Sequence, residues 1–196
     1  MIVVLGRPGL TADDHIDRPA GRIALAAARA GGRVELVGTV GDDADGDAVI
    51  VELGRAGIGH AAVLRDPAGS TPRIADGAAT EEQLPRLEAA DVELGLRYLA
   101  ECQVLVAAEE LPADVLGIVT DAAAYHGATL IVLAAAGEPP DGDLPEAATV
   151  LEVPDDGGGA FAELVGQYAA FLDAGRQPAD AWADAVSETG WEQAPE

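Results

Sequence analysis

The sequence predicts an α/β protein: a mostly parallel sheet flanked by helices on both faces. Three observations carry this. Short, unbroken apolar runs recur at 2–5, 34–37, 104–107, 130–133 and 150–153, and continuous apolar strands suit a sheet covered on both sides. Segments of helical periodicity fall between the runs. Strand and helix alternate, which is the pattern of parallel strands joined by helical crossovers.

In order along the chain, the run 2–5 ends at Gly6 and reads as a buried strand. Residues 20–31 are alanine-rich and stop at Gly31-Gly32, a natural helix end. The next strand, 34–37, leads into a helix over 45–56, with Val49, Ile50, Leu53 and Ala56 on one side and Gly57 as its stop. Residues 61–64 are a weaker strand candidate. Residues 66–80 open with Asp66-Pro67-Ala68-Gly69-Ser70-Thr71-Pro72, which is turn chemistry, and read as a loop. After the strand at 104–107, Pro112 occupies a first-turn position of a helix over 112–126 that repeats apolar groups at Val115, Val119 and Ala122. A strand at 130–133, a loop rich in Gly and Pro over 137–147 and a strand at 150–153 follow. Helices are predicted over 160–174, with Phe161, Leu164, Val165, Tyr168 and Leu172 on one stripe, and over 178–187. Residues 1–189 form one domain and 190–196 a tail.

Composition narrows the function. The chain has 196 residues, enough for one domain with a sizeable core, and 49% are hydrophobic while only 4% are aromatic, so small and aliphatic side chains build that core. Net charge is -24, from 35 acidic and 11 basic residues. Every basic residue is arginine. The absence of lysine removes Walker A and Schiff-base chemistry, and the acidic surface disfavours nucleic acid and anionic membranes as partners. Cys102 is the single cysteine, so no internal disulfide forms; beside the run 104–106 it reads as a buried, inert thiol. The first residues lack a signal peptide's basic segment and long apolar stretch. No run approaches the ~18 apolar residues of a membrane helix. A cytoplasmic location is expected.

Two stretches resemble the ribokinase (PfkB-type) sugar kinases. The first runs from Ala24-Leu25-Ala26-Ala27-Ala28-Arg29-Ala30-Gly31-Gly32-Arg33-Val34 through Val37-Gly38-Thr39-Val40-Gly41-Asp42-Asp43 to Gly46, closing at Leu53-Gly54-Arg55-Ala56-Gly57-Ile58. Gly38 and Gly41 are expected to allow a tight strand-to-helix turn there. The second runs over 98–134 and includes Glu110-Leu111-Pro112. Gly157-Gly158-Gly159-Ala160-Phe161 and the helices after it are similar to the family's C-terminal end.

The resemblance implies a trimmed ribokinase-like fold lacking the lid, because only residues 7–19 fill the place where the family has lid strands. It also implies lost catalysis. The family's sugar-holding asparagine falls at Arg22 and its glycine pair is gone. Its Asn-x-x-Glu motif reads Asp155-Asp156-Gly157-Gly158. The segment that holds the adenine half of ATP has no counterpart, and the catalytic base falls at Ala160. Phosphoryl transfer to a hydroxyl needs a positioned base and a cradle for the phosphates, and here only the glycines of the cradle remain. No cofactor is expected, with magnesium–ATP entering only if the chain is an active minimal sugar kinase.

Candidate ligand residues are Asp14 (near the family's sugar-binding aspartate), Arg22, Asp43, Gly157, Gly158 and Gly159. Arg18 and Arg22 either bind an anion or pair with Asp13, Asp14 or Asp17, and pairing is favoured. The alternation Asp43-Ala44-Asp45-Gly46-Asp47 suggests a calcium loop, but Ala48 and Gly54 stand where that loop needs glycine and glutamate. Acidic first-turn residues of a helix are the better reading. His15, His60 and His126 lack metal-ligand spacing, and no metal site is expected. His126 suits the end of its helix. The leading expectation is an inactive relative binding a sugar or nucleoside in a remnant pocket. The alternatives are the minimal kinase and a non-enzymatic module with a protein partner.

Overall fold

The structure, a computed structural model, describes residues 1–75, 78–79, 83–99, 101–140, 142–154 and 159–191. Among these, a six-stranded sheet is built from β1 (Ile2–Leu5), β4 (Val34–Gly41), β5 (Gly59–Asp66), β8 (Val104–Ala107), β9 (Thr129–Ala135) and β10 (Thr149–Val153), in the order β10-β9-β8-β1-β4-β5. Every pairing is parallel. Successive side chains point to opposite faces of a strand, so Ile2 and Val4 join one core while Val3 and Leu5 join the other. Both cores are covered, which is why the strands are apolar throughout.

The first core is roofed by α1 (Arg18–Arg29), α2 (Ala44–Arg55), α5 (Ala160–Asp173) and α6 (Pro178–Thr189). The second is roofed by α3 (Ala89–Arg97) and α4 (Ala113–His126). The caps follow the sequence. Gly127 and Gly190 end α4 and α6 in the left-handed conformation. Pro178 occupies the start of α6, where its missing N–H costs nothing. His126 lies in the last turn of α4 as expected. Beyond α6, the Trp191 ring packs 5.6 Å from Phe161. No helix among the described residues is long and apolar enough to cross a membrane.

The α/β class, the parallel sheet and the five predicted helices are as the sequence reads. Four features differ. Residues 66–80 are not all loop: β6 (Arg73–Ala75) and β7 (Ala78–Ala79) lie there. Residues 7–19, short as they are, carry β2 (Gly9–Thr11) and β3 (Ile16–Asp17). These four form a small second sheet in the order β3-β2-β6-β7. The partner of β2 lies some sixty residues away at β6 (Leu10 opposite Arg73), a pairing that local turn chemistry hides. The helix α3 is also unforeseen. Lastly, Gly38 and Gly41 are not in a turn, because β4 runs through both. Their hydrogens allow close approach instead: a Cβ on Gly38 would lie 1.9 Å from the Gly6 carbonyl, and one on Gly41 2.7 Å from the Thr71 nitrogen.

Candidate functional site

The chain leaves β1 in two directions. It runs outward through β4 and β5, returns to the other side of β1 at β8, and runs outward again through β9 and β10. In an open parallel sheet such a reversal leaves a crevice at the carboxyl ends of the two strands, and ligands bind there. Here it lies beyond β1 and β8. A cleft of about 430 Å3 opens at this place, lined by Arg7, Arg18, Glu109, Glu110, Leu111 and Pro112.

Each strand supplies one charged group two residues past its end. The Arg7 backbone N–H and its Nε both donate to Glu109 Oε1, at 2.9 and 2.8 Å. Arg18 Nη2 reaches Glu109 Oε2 at 3.6 Å. Glu109 therefore bridges two guanidinium groups. Arg18 holds a left-handed backbone (φ 66°), a conformation disfavoured for a residue with a Cβ and concentrated where surrounding structure enforces it.

A second group adjoins the first. Asp17 caps α1, its Oδ1 accepting from the Arg18 backbone N–H at 2.6 Å. Its Oδ2 accepts from Arg22 Nη2 at 2.9 Å, and Arg22 Nε also contacts Oδ1. Asp17 is 2% exposed, so a half-buried arginine makes a bidentate, charge-assisted pair with a buried carboxylate. The Arg22 guanidinium lies against Gly159, the residue that starts α5 with φ 78°. A Cβ on Gly159 would meet Arg22 Nη1 at 2.4 Å. Glycine is thus required here both for its backbone and for the space it leaves. Gly159 itself has no side chain with which to cap α5. Ala160, its first residue, presents a methyl group.

The third group holds Asp43. This residue caps α2, accepting from the Gly46 N–H at 2.7 Å, the Thr71 N–H at 2.8 Å and the Thr71 hydroxyl at 2.7 Å. The Thr71 hydroxyl in turn accepts from the Gly41 N–H at 2.9 Å. Burial pushes the Asp43 carboxyl up, and the donors from Thr71 and Gly46 more than reverse that, holding it below the usual carboxylate range. The alternating carboxylates of 43–47 are therefore a helix cap and its acidic first turn, as the sequence suggests. Among the described residues no three His, Cys, Asp or Glu gather as metal ligands. Asp14, also left-handed at φ 61°, is exposed. It accepts from Arg73 Nη1 at 2.8 Å, and Arg73 Nε donates to Asp45 Oδ2 at 3.0 Å. Hydrogen bonds to Asp45 and then Asp14 raise the Arg73 pKa further.

Of the sequence candidates, Arg22 and Gly159 come together, and Asp14 and Asp43 belong to a separate set of hydrogen bonds around α2. Gly157 and Gly158 lie outside the described residues, as do Asp155 and Asp156. The pairing expected for Arg22 is made with Asp17. For Arg18 the expected aspartates give way to Glu109, because its left-handed backbone sits at the mouth of the crevice. Arg7 and Glu109 were not foreseen. The signal that marks them is position: each stands two residues beyond a buried parallel strand, at the place where the strand order reverses. Cys102, at the opposite end of β8, is buried, and desolvation pushes its thiol up to about 11.

No protein-family model and no curated protein sequence matches the chain. Solved structures do, and they define its class: the chain has the ribokinase-like fold of the carbohydrate kinases. The ribokinase of Arabidopsis thaliana, complexed with ribose and ATP, aligns with a TM-score of 0.68 and 13% identity over 96% of this chain and 90% of its own. A candidate ribokinase II of E. coli, in complex with ATP and Mg2+, gives 0.69 and 14% over 94% and 89%. A fructokinase of Xylella fastidiosa gives 0.55 and 16% over 97% of this chain but 69% of its own. At such identities the likeness establishes the fold and leaves activity to be argued from the site.

Proposed function

We propose that this chain is a ribokinase-like protein that does not transfer phosphate and that holds a small polar ligand, a sugar or a nucleoside, in the crevice beyond β1 and β8. The observation that carries this reading is the state of Asp17, Glu109 and Asp43; Glu110 stands exposed on the rim of the crevice. A general base needs a carboxylate within reach of the substrate and free to take a proton. Asp17 and Glu109 already accept from arginine and backbone donors. Protonating Asp17 would leave the Arg22 charge without its partner. Ala160, at the head of α5, has no proton acceptor at all. Asp43 is committed to Gly46 and Thr71.

Magnesium–ATP does not fit the same set. Among the described residues at the head of α5 none supplies a base, and in the sequence Asp155 and Asp156 precede Gly157-Gly158-Gly159, where phosphate would need positive charge. A polyhydroxylated ligand fits better. The guanidinium groups of Arg7 and Arg18 offer donors, Glu109 and Glu110 offer acceptors, and Leu111 and Pro112 form an apolar wall. The fold's relatives with ribose and ATP make a sugar or nucleoside the first class to try.

The experiment is calorimetric titration with magnesium–ATP and with a panel of sugars and nucleosides, alongside an assay for phosphorylated product. The expected result is heat from one sugar or nucleoside, none from ATP, and no product. Arg7→Ala and Glu109→Gln should each weaken that binding by roughly tenfold or more, the loss of a charge-assisted hydrogen bond. Saturable ATP binding with product formation overturns the proposal in favour of a minimal kinase. Silence toward every sugar and nucleoside overturns it in favour of a protein-interaction role.

A further inference from the structure

The opposite side of the molecule carries a second concavity that owes nothing to the crevice. Between α3 and α4 runs a groove of about 460 Å3, mostly apolar in its lining. Leu96, Ile118 and Ala122 form its apolar part. The rings of Tyr125 and His126 close one end, edge to face with centroids 5.1 Å apart. Tyr125 is 86% exposed, although it is one of only three tyrosines in the chain. Leu94 and Tyr98, on and just after α3, are 48% and 79% exposed. Large apolar side chains left in water on two adjacent helices mark an interaction surface more often than a stable free face.

Charge selects the occupant. Arg97 is tied to Glu93 within α3, so the cation on the groove's rim is already neutralised. Asp121, exposed on the same rim, has no hydrogen-bond or ion-pair partner among the described residues. The whole chain carries -24. A second copy would bring another -24 to the contact and be repelled, whereas a basic partner would be drawn in. Two neighbouring helices with an apolar trough between them accept the apolar stripe of a third helix. We propose that the groove between α3 and α4 docks a basic amphipathic helix of a partner protein, its apolar stripe on Leu96, Ile118 and Ala122 and its cations toward Asp121.

The test uses the full chain, labelled with 15N, and two synthetic 18-residue leucine–lysine peptides: one amphipathic as a helix, the other of the same composition with the stripe scrambled. The expected result is chemical-shift change centred on α3 and α4 with the amphipathic peptide alone. Asp121→Arg combined with Tyr125→Ala, both at exposed positions, should weaken its binding at least tenfold while leaving the rest of the spectrum unchanged. Equal binding of the scrambled peptide overturns the proposal, since general acidity then accounts for the attraction. So do shifts centred elsewhere. A dimer in light scattering that Tyr125→Ala dissolves also overturns it, because the occupant is then a second copy.

Discussion

Two helices begin at the carboxyl edge of the same sheet, and they begin in opposite ways. The N-terminus of α2 is closed by Asp43, whose carboxylate takes donors from Gly46 and Thr71 and puts negative charge where the helix dipole is positive. The N-cap of α5 is a glycine, which has no side chain to cap the helix, and an arginine lies against it, since Arg22 packs on Gly159. A cation beside a positive helix end is unfavourable, and among the described residues Asp17, pinned between Arg22 and the start of α1, offsets it. The α2 end is built for stability. The α5 start places glycine where α2 has a capping aspartate, and the arginine against it is held by one buried aspartate.

The sharpest way to break this comparison is Asp17→Ala. It strips the cap of α1 and leaves Arg22 charged and partnerless beside α5, for an expected loss of about 3 kcal/mol in urea unfolding. That is the low end for a buried pair, because the Arg22 side chain is 35% exposed. Removing Arg22 as well should restore a good part of the loss; an additive double variant would mean the pair is not what holds α5. Asp43→Ala should cost less, about 2 kcal/mol, as a lost N-cap with the Thr71 tie added.

The same carboxylate sets a pH dependence. Its folded pKa lies below the unfolded value, so its contribution is full above about pH 4 and is lost as pH falls through the folded pKa. Asp43→Asn should flatten the acid limb of the stability curve. Gly159→Ala ranks lower, at about 1 kcal/mol for the left-handed backbone, with loss of the Arg22–Asp17 geometry visible in a crystal structure. Smallest of all is the reactivity of Cys102. With its thiol buried and pushed up to about 11, it should resist a thiol reagent at pH 8 in the folded state and react only when urea opens the sheet.

How much of the site was legible in the sequence depends on whether a residue acts locally. Asp43 as a cap could be read directly, because a cap and its helix are adjacent in the chain. So could Gly31 and Gly57, the left-handed glycines that follow α1 and α2. Arg22 was identified, and its pairing foreseen, because Asp17 lies one helical turn and a half away. Arg7 and Glu109 were not, since 102 residues separate them and only the reversal of strand order puts them face to face. Thr71 sits in what reads as a plain turn, yet its hydroxyl bridges Gly41 and Asp43. The small second sheet was hidden for the same reason: β2 and β6 are too short to show periodicity, and their backbone groups are satisfied only by each other.

By itself the sequence determined the class of the protein. Runs of valine, leucine and isoleucine have no stable place except a sheet covered on both faces, and alanine-rich periodic segments between them have none except as its cover. It also determined that Ala160 offers no base, since no fold gives a methyl group a lone pair. Tertiary structure alone decided which charges meet: that Glu109 bridges Arg7 and Arg18, that Arg22 leans on Gly159, and that α3 lies beside α4 with a groove between them. Apolar burial follows from residue type and is written locally. Ion pairs and grooves follow from the order in which strands line up, and that order is settled only when the whole chain packs.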